Sequence, residues 1–275
     1  MNDIPRVLKI VEVRMENPMV KTYIFKGNLG AKPGQFVNVW MPRVDEKPFS
    51  VAYCDDKEFW LTIAAVGPFT KKLHKDFVKG SKLGVRGPYG NGYTVLKNKH
   101  IVLLAGGYGA APLYFLAHES VKNGCKVEFI VGAKNKDLLL YTEMISKMEN
   151  VSLHIATDDG SVGMKGYNTL ILEKLLAEQN GSSDGHGIAE LFVATCGPEV
   201  MMKSAMDICE KADVPIEVSI ERYMKCGTGV CGNCCVDGLG VPVCKKGPVM
   251  RGEMARKISG LAKWHRDNVG LKINW

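Results

Sequence analysis

Five of the nine cysteines crowd together as Cys226, Cys231, Cys234, Cys235 and Cys244. Cys226, Cys231, Cys234 and Cys244 follow a C-x4-C-x2-C-x9-C pattern, the spacing of plant-type [2Fe–2S] centres. Four thiolates must converge on two irons, three of them from one tight loop whose amides face the sulfurs. Gly227, Gly229 and Gly232 supply the backbone freedom that such a loop needs. A structural zinc site can also use four cysteines, but zinc modules more often set two C-x2-C knuckles well apart, and only one such pair is present. Cys235 is a spare thiol beside a proposed ligand; the spacing favours Cys234. Cys54, Cys125, Cys196 and Cys209 are scattered and read as reduced, half-buried small hydrophobes.

A second constellation is built from glycine. Gly106-Gly107-Tyr108-Gly109-Ala110-Ala111-Pro112 follows the apolar run IVLLA and opens a helix-like stretch. Glycines let the backbone approach a pyrophosphate, and a helix N-terminus offers free amides and the positive end of a dipole. Departing from G-x-G-x-x-G, the segment also reads as a plain tight turn. Cys196-Gly197-Pro198-Glu199-Val200-Met201 stands after LFVAT in the same strand-to-helix position, so the two turns can line one crevice. Lys47-Pro48-Phe49-Ser50 and Gly67-Pro68-Phe69-Thr70 are weaker, each readable as an ordinary turn. His74, His100, His118, His154, His186 and His265 show no metal-ligand spacing, and hydrogen bonding is the better reading of each.

Three regions must position these groups, and no 20–50-residue period repeats. Residues 1–98 carry short runs rich in β-branched and aromatic residues (VLKIVEVRM, KTYIFKG, FVNVWM, FWLTIAAV, KLGVRG), which predict a small antiparallel barrel. Over 99–215, apolar runs (IVLLA, VEFIVGA, SLHIAT, LFVAT) alternate with helix-like stretches (AAPLYFLAHESVKN, KDLLLYTEMISKM, TLILEKLLAE, EVMMKSAMDICEKA). That is the pattern of βαβ units around a parallel sheet. Residues 216–275 begin with IEVSI and hold the cysteine cluster, too short a stretch for a large core of its own. NGSSDGHG at 180–187 reads as a polar loop inside the second region.

The chain has 275 residues, 46% hydrophobic and 24% charged, enough for about two domains of ordinary globular composition. A net charge of +7 is too dispersed to argue for nucleic acid. Much of the excess lies beyond Lys245, either a solvated basic face or a docking surface for an acidic partner. MNDIPRVLKIVEV lacks the regions of a signal peptide, and no long uncharged apolar run is present. Neither secretion nor a membrane span is therefore expected.

Taken in order, K-P-F-S, G-x-x-T, G-G-x-G-x-A-P and C-G-P-x-x-M resemble the ferredoxin–NADP⁺ reductase superfamily. The cysteine module after VSIERYMK narrows the resemblance, over nearly the whole chain, to the electron-transfer subunits of class 1B dihydroorotate dehydrogenase. The resemblance implies an FAD-binding antiparallel β-barrel, a Rossmann-like parallel-sheet nucleotide domain and a small C-terminal [2Fe–2S] module. Lys47 would neutralise the FAD pyrophosphate where Arg is usual, keeping the charge but losing the fork. Pro48 shares that segment, Phe49 would pack near the isoalloxazine and Ser50 would hydrogen-bond its N5 edge. Thr62, Ile63 and Ala64 match the strand after the flavin. Gly67, Phe69 and Thr70 match the helix start that holds the pyrophosphate, with Phe69 where Gly is frequent. Gly106, Gly107, Gly109 and Pro112 would cradle the nicotinamide nucleotide, and Cys196 and Gly197 would lie near the nicotinamide.

Cofactor chemistry replaces any acid–base pair in such a protein. The implied function is to channel electrons from an FMN-containing dihydroorotate dehydrogenase catalytic subunit, through the cluster and FAD, to NAD⁺ in pyrimidine biosynthesis. The implied setting is a cytoplasmic α2β2 assembly. Lys245, Lys246 and Arg251 are candidates for its docking face. NAD rather than NADP is implied by the resemblance alone, and Lys134 could tolerate a 2′-phosphate. Trp275 could stack on the flavin as terminal aromatics do in some reductases, although surface packing is the simpler reading. The alternatives are a related subunit of a hydrogenase, a sulfide or sulfur reductase, or a bifurcating NADH/NADPH oxidoreductase, and a non-redox zinc-stapled binding protein. Cys226 stands where the bifurcating group commonly has Asp.

Overall fold

Six strands with inward-facing apolar residues close on themselves: β1 (Arg6–Asn17), β2 (Val20–Lys26), β3 (Phe36–Met41), β4 (Asp45–Cys54), β5 (Glu58–Ala64) and β6 (Lys82–Tyr89). The computed structural model, which describes residues 4–180 and 191–274, orders them β1-β2-β5-β4-β3-β6 in an antiparallel barrel. His186, residues 181–187 of the polar loop and Trp275 lie outside the described residues. Along β5 every second side chain is buried, which sends Phe59, Leu61 and Ile63 inward. Phe25 and Phe59 stack there at 5.0 Å.

β4 differs from its sequence reading: Lys47-Pro48-Phe49-Ser50 is strand, not turn. Residues 45–50 pair with β3, while the register with β5 runs only over 51–54. Pro48 therefore sits where one edge of the strand is locally free, and its missing N–H interrupts no ladder on that side. That free edge also leaves residues 46–50 half-exposed.

α1 (Pro68–Asp76) leads into β6, and the nucleotide region follows as β7 (His100–Gly106), α2 (Ala110–Lys122), β8 (Lys126–Ala133), α3 (Thr142–Ser146), β9 (Val151–Thr157), β10 (Met164–Lys165), α4 (Asn168–Asn180), β11 (Leu191–Cys196), α5 (Glu199–Lys211) and β12 (Ile216–Ser219). The sheet order is β10-β9-β8-β7-β11-β12-β15, parallel throughout except that β15 (Val249–Arg251) runs antiparallel to β12. KDLLLYTEMISKM is less helical than its pattern predicts. Leu139 is extended and Tyr141 adopts a left-handed conformation at the start of α3, turning its hydroxyl to Thr22 and Thr62 of the barrel. Trp60 stacks on Tyr114, and Tyr53 meets Phe115, joining the barrel to α2 of the nucleotide region.

The last segment holds the hairpin β13 (Cys235–Val236) and β14 (Val241–Pro242), α6 (Val243–Lys246), α7 (Gly252–Ala255), and a second hairpin of β16 (Trp264–Arg266) and β17 (Lys272–Asn274). Its apolar residues share one cluster with Phe36 and Tyr89 of the barrel, Met202 and Met206 of α5 and Val218 of β12. Among the described residues no helix is long and apolar enough to cross a membrane.

Candidate functional site

Strand order reverses between β7 and β11, the point at which an open α/β sheet leaves a crevice beyond its strand ends. Gly106–Gly109 leaves β7 there, and Cys196-Gly197-Pro198 leaves β11 beside it. A Cβ on Gly109 would lie 2.2 Å from the Cys196 carbonyl oxygen, so only glycine lets these turns meet. Gly107 is in left-handed backbone, which a residue without a Cβ adopts freely. Pro112 is buried in the first turn of α2.

Two further side chains line the same crevice, Tyr108 from within the glycine turn and Glu221 from a segment that carries no chemical motif. Tyr108 is 52% exposed, and Glu221 keeps a solvent-open face although protein crowds around it. Glu221's charge, then burial, push the Tyr108 hydroxyl up to about 12. Burial pushes the Cys196 thiol up to about 12, with Glu221 adding repulsion. Burial and the nearby Glu199 raise the Glu221 carboxyl, against the pull of Arg222. Cys196 is thus held as a neutral thiol. The sequence brings the turns of Tyr108 and Cys196 to one crevice; chain distance hides only Glu221, which joins them from a third segment.

On the barrel side, the rings of Phe49 and Phe69 lie 6.0 Å apart with planes inclined at 29°, so the structure joins the two weak sequence segments. Thr70 Oγ1 donates to the Gly67 carbonyl at 3.1 Å and accepts the Gly67 N–H at 3.0 Å, squaring off the start of α1. Lys47 Nζ contacts Asp45 at 2.6 Å and lies 5.2 Å from the Tyr223 ring, facing the segment that leads to the cysteines. Ser50 pairs with Phe36 across β3. Thr62 turns away, its hydroxyl shared with Thr22 and Tyr141, Ile63 is buried in the barrel, and Ala64 lies opposite Val20. An aromatic face, a free strand edge and a helix start fit a flavin dinucleotide. Asn38 Oδ1, buried with no protein partner, adds an unmet acceptor beside Pro48.

The cysteine loop forms two pairs. Cys226 Sγ accepts the N–H groups of Cys231 at 3.5 Å and Thr228 at 3.4 Å. Burial pushes the Cys226 thiol up, but these donors outweigh it and bring it to about 6. Cys234 and Cys244 are both buried, and the Cys244 N–H meets Cys234 Sγ at 3.4 Å. Cys235 instead starts β13, opposite Pro242, and burial raises its thiol. Among the described residues no three His, Cys, Asp or Glu side chains are grouped to hold one metal ion. Two irons bridged by sulfide ask for two pairs of thiolates, and donor amides aimed at sulfur suit that group. A Cβ on Gly227, which is left-handed, would come 3.0 Å from the Tyr89 ring, so the loop lies directly on the barrel.

A family model described as the iron–sulfur cluster binding domain of dihydroorotate dehydrogenase B matches residues 221–255, and an oxidoreductase NAD-binding domain matches 103–207. The chain is 41% identical to the "Probable dihydroorotate dehydrogenase B (NAD(+)), electron transfer subunit" of Methanocaldococcus jannaschii, over 98% of both chains. It is 39% identical to the protein of the same description from Methanothermobacter thermautotrophicus, over 99% of this chain and 98% of that one. Among solved structures, one chain of an NADH-dependent reduced ferredoxin-NADP oxidoreductase superposes with a TM-score of 0.78 at 30% identity, covering 90% of this chain and 89% of that one. The flavohem-like FAD/NAD binding domain of a Vibrio cholerae nitric oxide dioxygenase shares the fold, with a TM-score of 0.63 at 16% identity over 77% of this chain and 94% of that one.

Proposed function

The chain belongs to the family of dihydroorotate dehydrogenase B electron transfer subunits, and from that premise we propose that it carries electrons from an FMN-containing catalytic subunit to NAD⁺. FAD and a [2Fe–2S] cluster supply the chemistry, the cluster in single electrons and the flavin as hydride. Dihydroorotate oxidation belongs to the partner, and α2β2 is the assembly of this reading. Its setting is the cytoplasm, in keeping with nine free cysteines.

In this reading residues 1–98 bind FAD, 99–215 bind NAD⁺, and 216–275 hold the cluster while lending β12 and β15 to the nucleotide sheet. Lys47, Pro48, Phe49 and Ser50 lie along the flavin, with Thr62, Ile63 and Ala64 as the supporting strand. Gly67, Phe69 and Thr70 receive the pyrophosphate at the start of α1. Gly106, Gly107, Gly109 and Pro112 receive the nicotinamide nucleotide, and Cys196 and Gly197 bound the nicotinamide. As a neutral thiol, Cys196 offers a dry, uncharged wall there. Cys226, Cys231, Cys234 and Cys244 hold the cluster.

The observation that carries the reading is the contact of the cysteine loop with the barrel. Gly227 lies against Tyr89, and Lys225 against Asn38, next to the strand bearing Lys47–Ser50. One-electron and two-electron centres would thereby be neighbours. The test is anaerobic purification of a tagged copy from its own host, with flavin and iron analysis and mass spectrometry of what co-purifies. An FMN-bearing dihydroorotate dehydrogenase subunit in equal amount is expected. A hydrogenase, sulfur-reducing or ferredoxin-linked partner would overturn the assignment, and a colourless zinc protein would overturn the cofactors too.

A further inference from the structure

Arg86, on β6, reaches a backbone carbonyl 140 residues away in the cysteine loop. Its Nη1 donates to the Cys226 carbonyl at 2.7 Å and to the Tyr89 hydroxyl at 3.0 Å, and Nη2 donates to the Lys225 carbonyl at 3.2 Å. From the other side, Nε and Nη2 each meet a Glu46 oxygen at 2.6 Å, a bidentate pair. The Arg86 side chain is only 12% exposed. Asn38 adds a bond of 3.0 Å from Nδ2 to the same Lys225 carbonyl. Glu46 precedes Lys47 directly on β4, so a single guanidinium ties the first cysteine of the cluster loop to the strand of the flavin segment.

We propose that Arg86, held by Glu46, is the positioning residue that fixes the cluster loop on the barrel and tunes the cluster's affinity for its electron. This rests on the reading that Cys226, Cys231, Cys234 and Cys244 hold the cluster. Two physical effects are separable. The planar fork bridges a carboxylate and two carbonyls at once, which an ammonium cannot do. The ion pair also presents no net charge to the loop, so losing either partner leaves an uncompensated charge near Cys226.

The signs of the two charge losses are opposite. Arg86→Gln leaves the Glu46 carboxylate alone and disfavours the added electron. Glu46→Gln leaves the guanidinium alone and favours it. Each is expected to change the one-electron equilibrium about tenfold, or about 59 mV. Arg86→Lys keeps the charge, so its potential stays near that of the natural protein. It loses the fork, so electron exchange between cluster and flavin slows several-fold in single-turnover mixing.

The experiment is an anaerobic redox titration of the holoprotein followed by electron paramagnetic resonance, with iron content measured for each variant. Opposite shifts for Arg86→Gln and Glu46→Gln, with slower exchange in Arg86→Lys, are the expected result. Unchanged potentials, or shifts of the same sign, in variants that retain iron overturn the proposal. Should Arg86→Gln fail to hold iron, Glu46→Gln and Arg86→Lys still decide it by sign and by rate. Natural protein without iron or signal would instead overturn the cluster reading itself.

Discussion

Glu199 and Arg222 form a buried ion pair with side chains only 4% and 6% exposed, joining the Cys-Gly-Pro-Glu turn to the segment that enters the cysteine loop. The second Glu199 oxygen accepts the Ala262 N–H at 2.8 Å, so one carboxylate ties down both ends of the cluster region. Glu199→Gln keeps the shape and an acceptor for Ala262 but strands the guanidinium. Breaking one side of such a pair costs about 3–5 kcal/mol. Arg222→Met strands the carboxylate instead; its place in the first turn of α5 offsets that loss by about 0.3–1 kcal/mol through the helix dipole. The double variant leaves no charge unpaired and should be less destabilised than the sum of the singles by about 1–3 kcal/mol. Anaerobic urea unfolding, followed by fluorescence and visible absorbance, measures this. With a slope of about 3 kcal/mol per molar, each single variant should lose about 1 M or more in midpoint. Singles within about 1 kcal/mol of the natural protein, or a strictly additive double, would refute the reasoning.

Cys234→Ala should abolish the visible absorbance and iron content of the cluster, whereas Cys235→Ala should retain both, because only Cys234 is paired with Cys244; iron analysis of the two purified variants decides. Gly109→Ala should raise KM for NADH at least tenfold, since the added carbon would lie 2.2 Å from the Cys196 carbonyl oxygen and part the two turns; steady-state kinetics with a dye acceptor checks this. Burial alone would raise the Glu128 carboxyl, but hydrogen bonds from His100 and His154 outweigh it and lower it from 4.5 to about 2. A depressed carboxylate stabilises above its unfolded value and loses that contribution as pH falls toward its folded value. The stability gap between natural protein and Glu128→Gln should therefore be full at neutral pH and shrink between about 4.5 and 2, as denaturation at stepped pH would show.

The parallel sheet was legible because its strands are buried on both faces and leave continuous apolar runs such as IVLLA and VEFIVGA. Most barrel strands showed themselves through β-branched and aromatic residues. β4 did not, since DEKPFSVAYC opens with charges and contains a proline that only its half-free edge tolerates. The periodicity of KDLLLYTEMISKM overstates the short α3, because it cannot reveal that Tyr141 leaves the helix to meet Thr22 and Thr62. Cysteine spacing and glycine turns are local signals. Arg86, Asn38, Glu46 and Glu221 act across long stretches of chain through bonds to backbone or through shared space, for which no spacing rule exists.

β15 has a consequence for how this chain can be cut or transplanted. Three residues from beyond the last proposed cluster ligand close the outer edge of the nucleotide sheet against β12. A chain ending before Val249 would leave β12 as a raw sheet edge, open to pairing with another copy. Conversely, the cysteine segment grafted onto a different reductase would bring along a strand with no edge to join. The cysteine segment is therefore not a detachable cassette, because the nucleotide sheet is complete only with a strand that follows it in the chain.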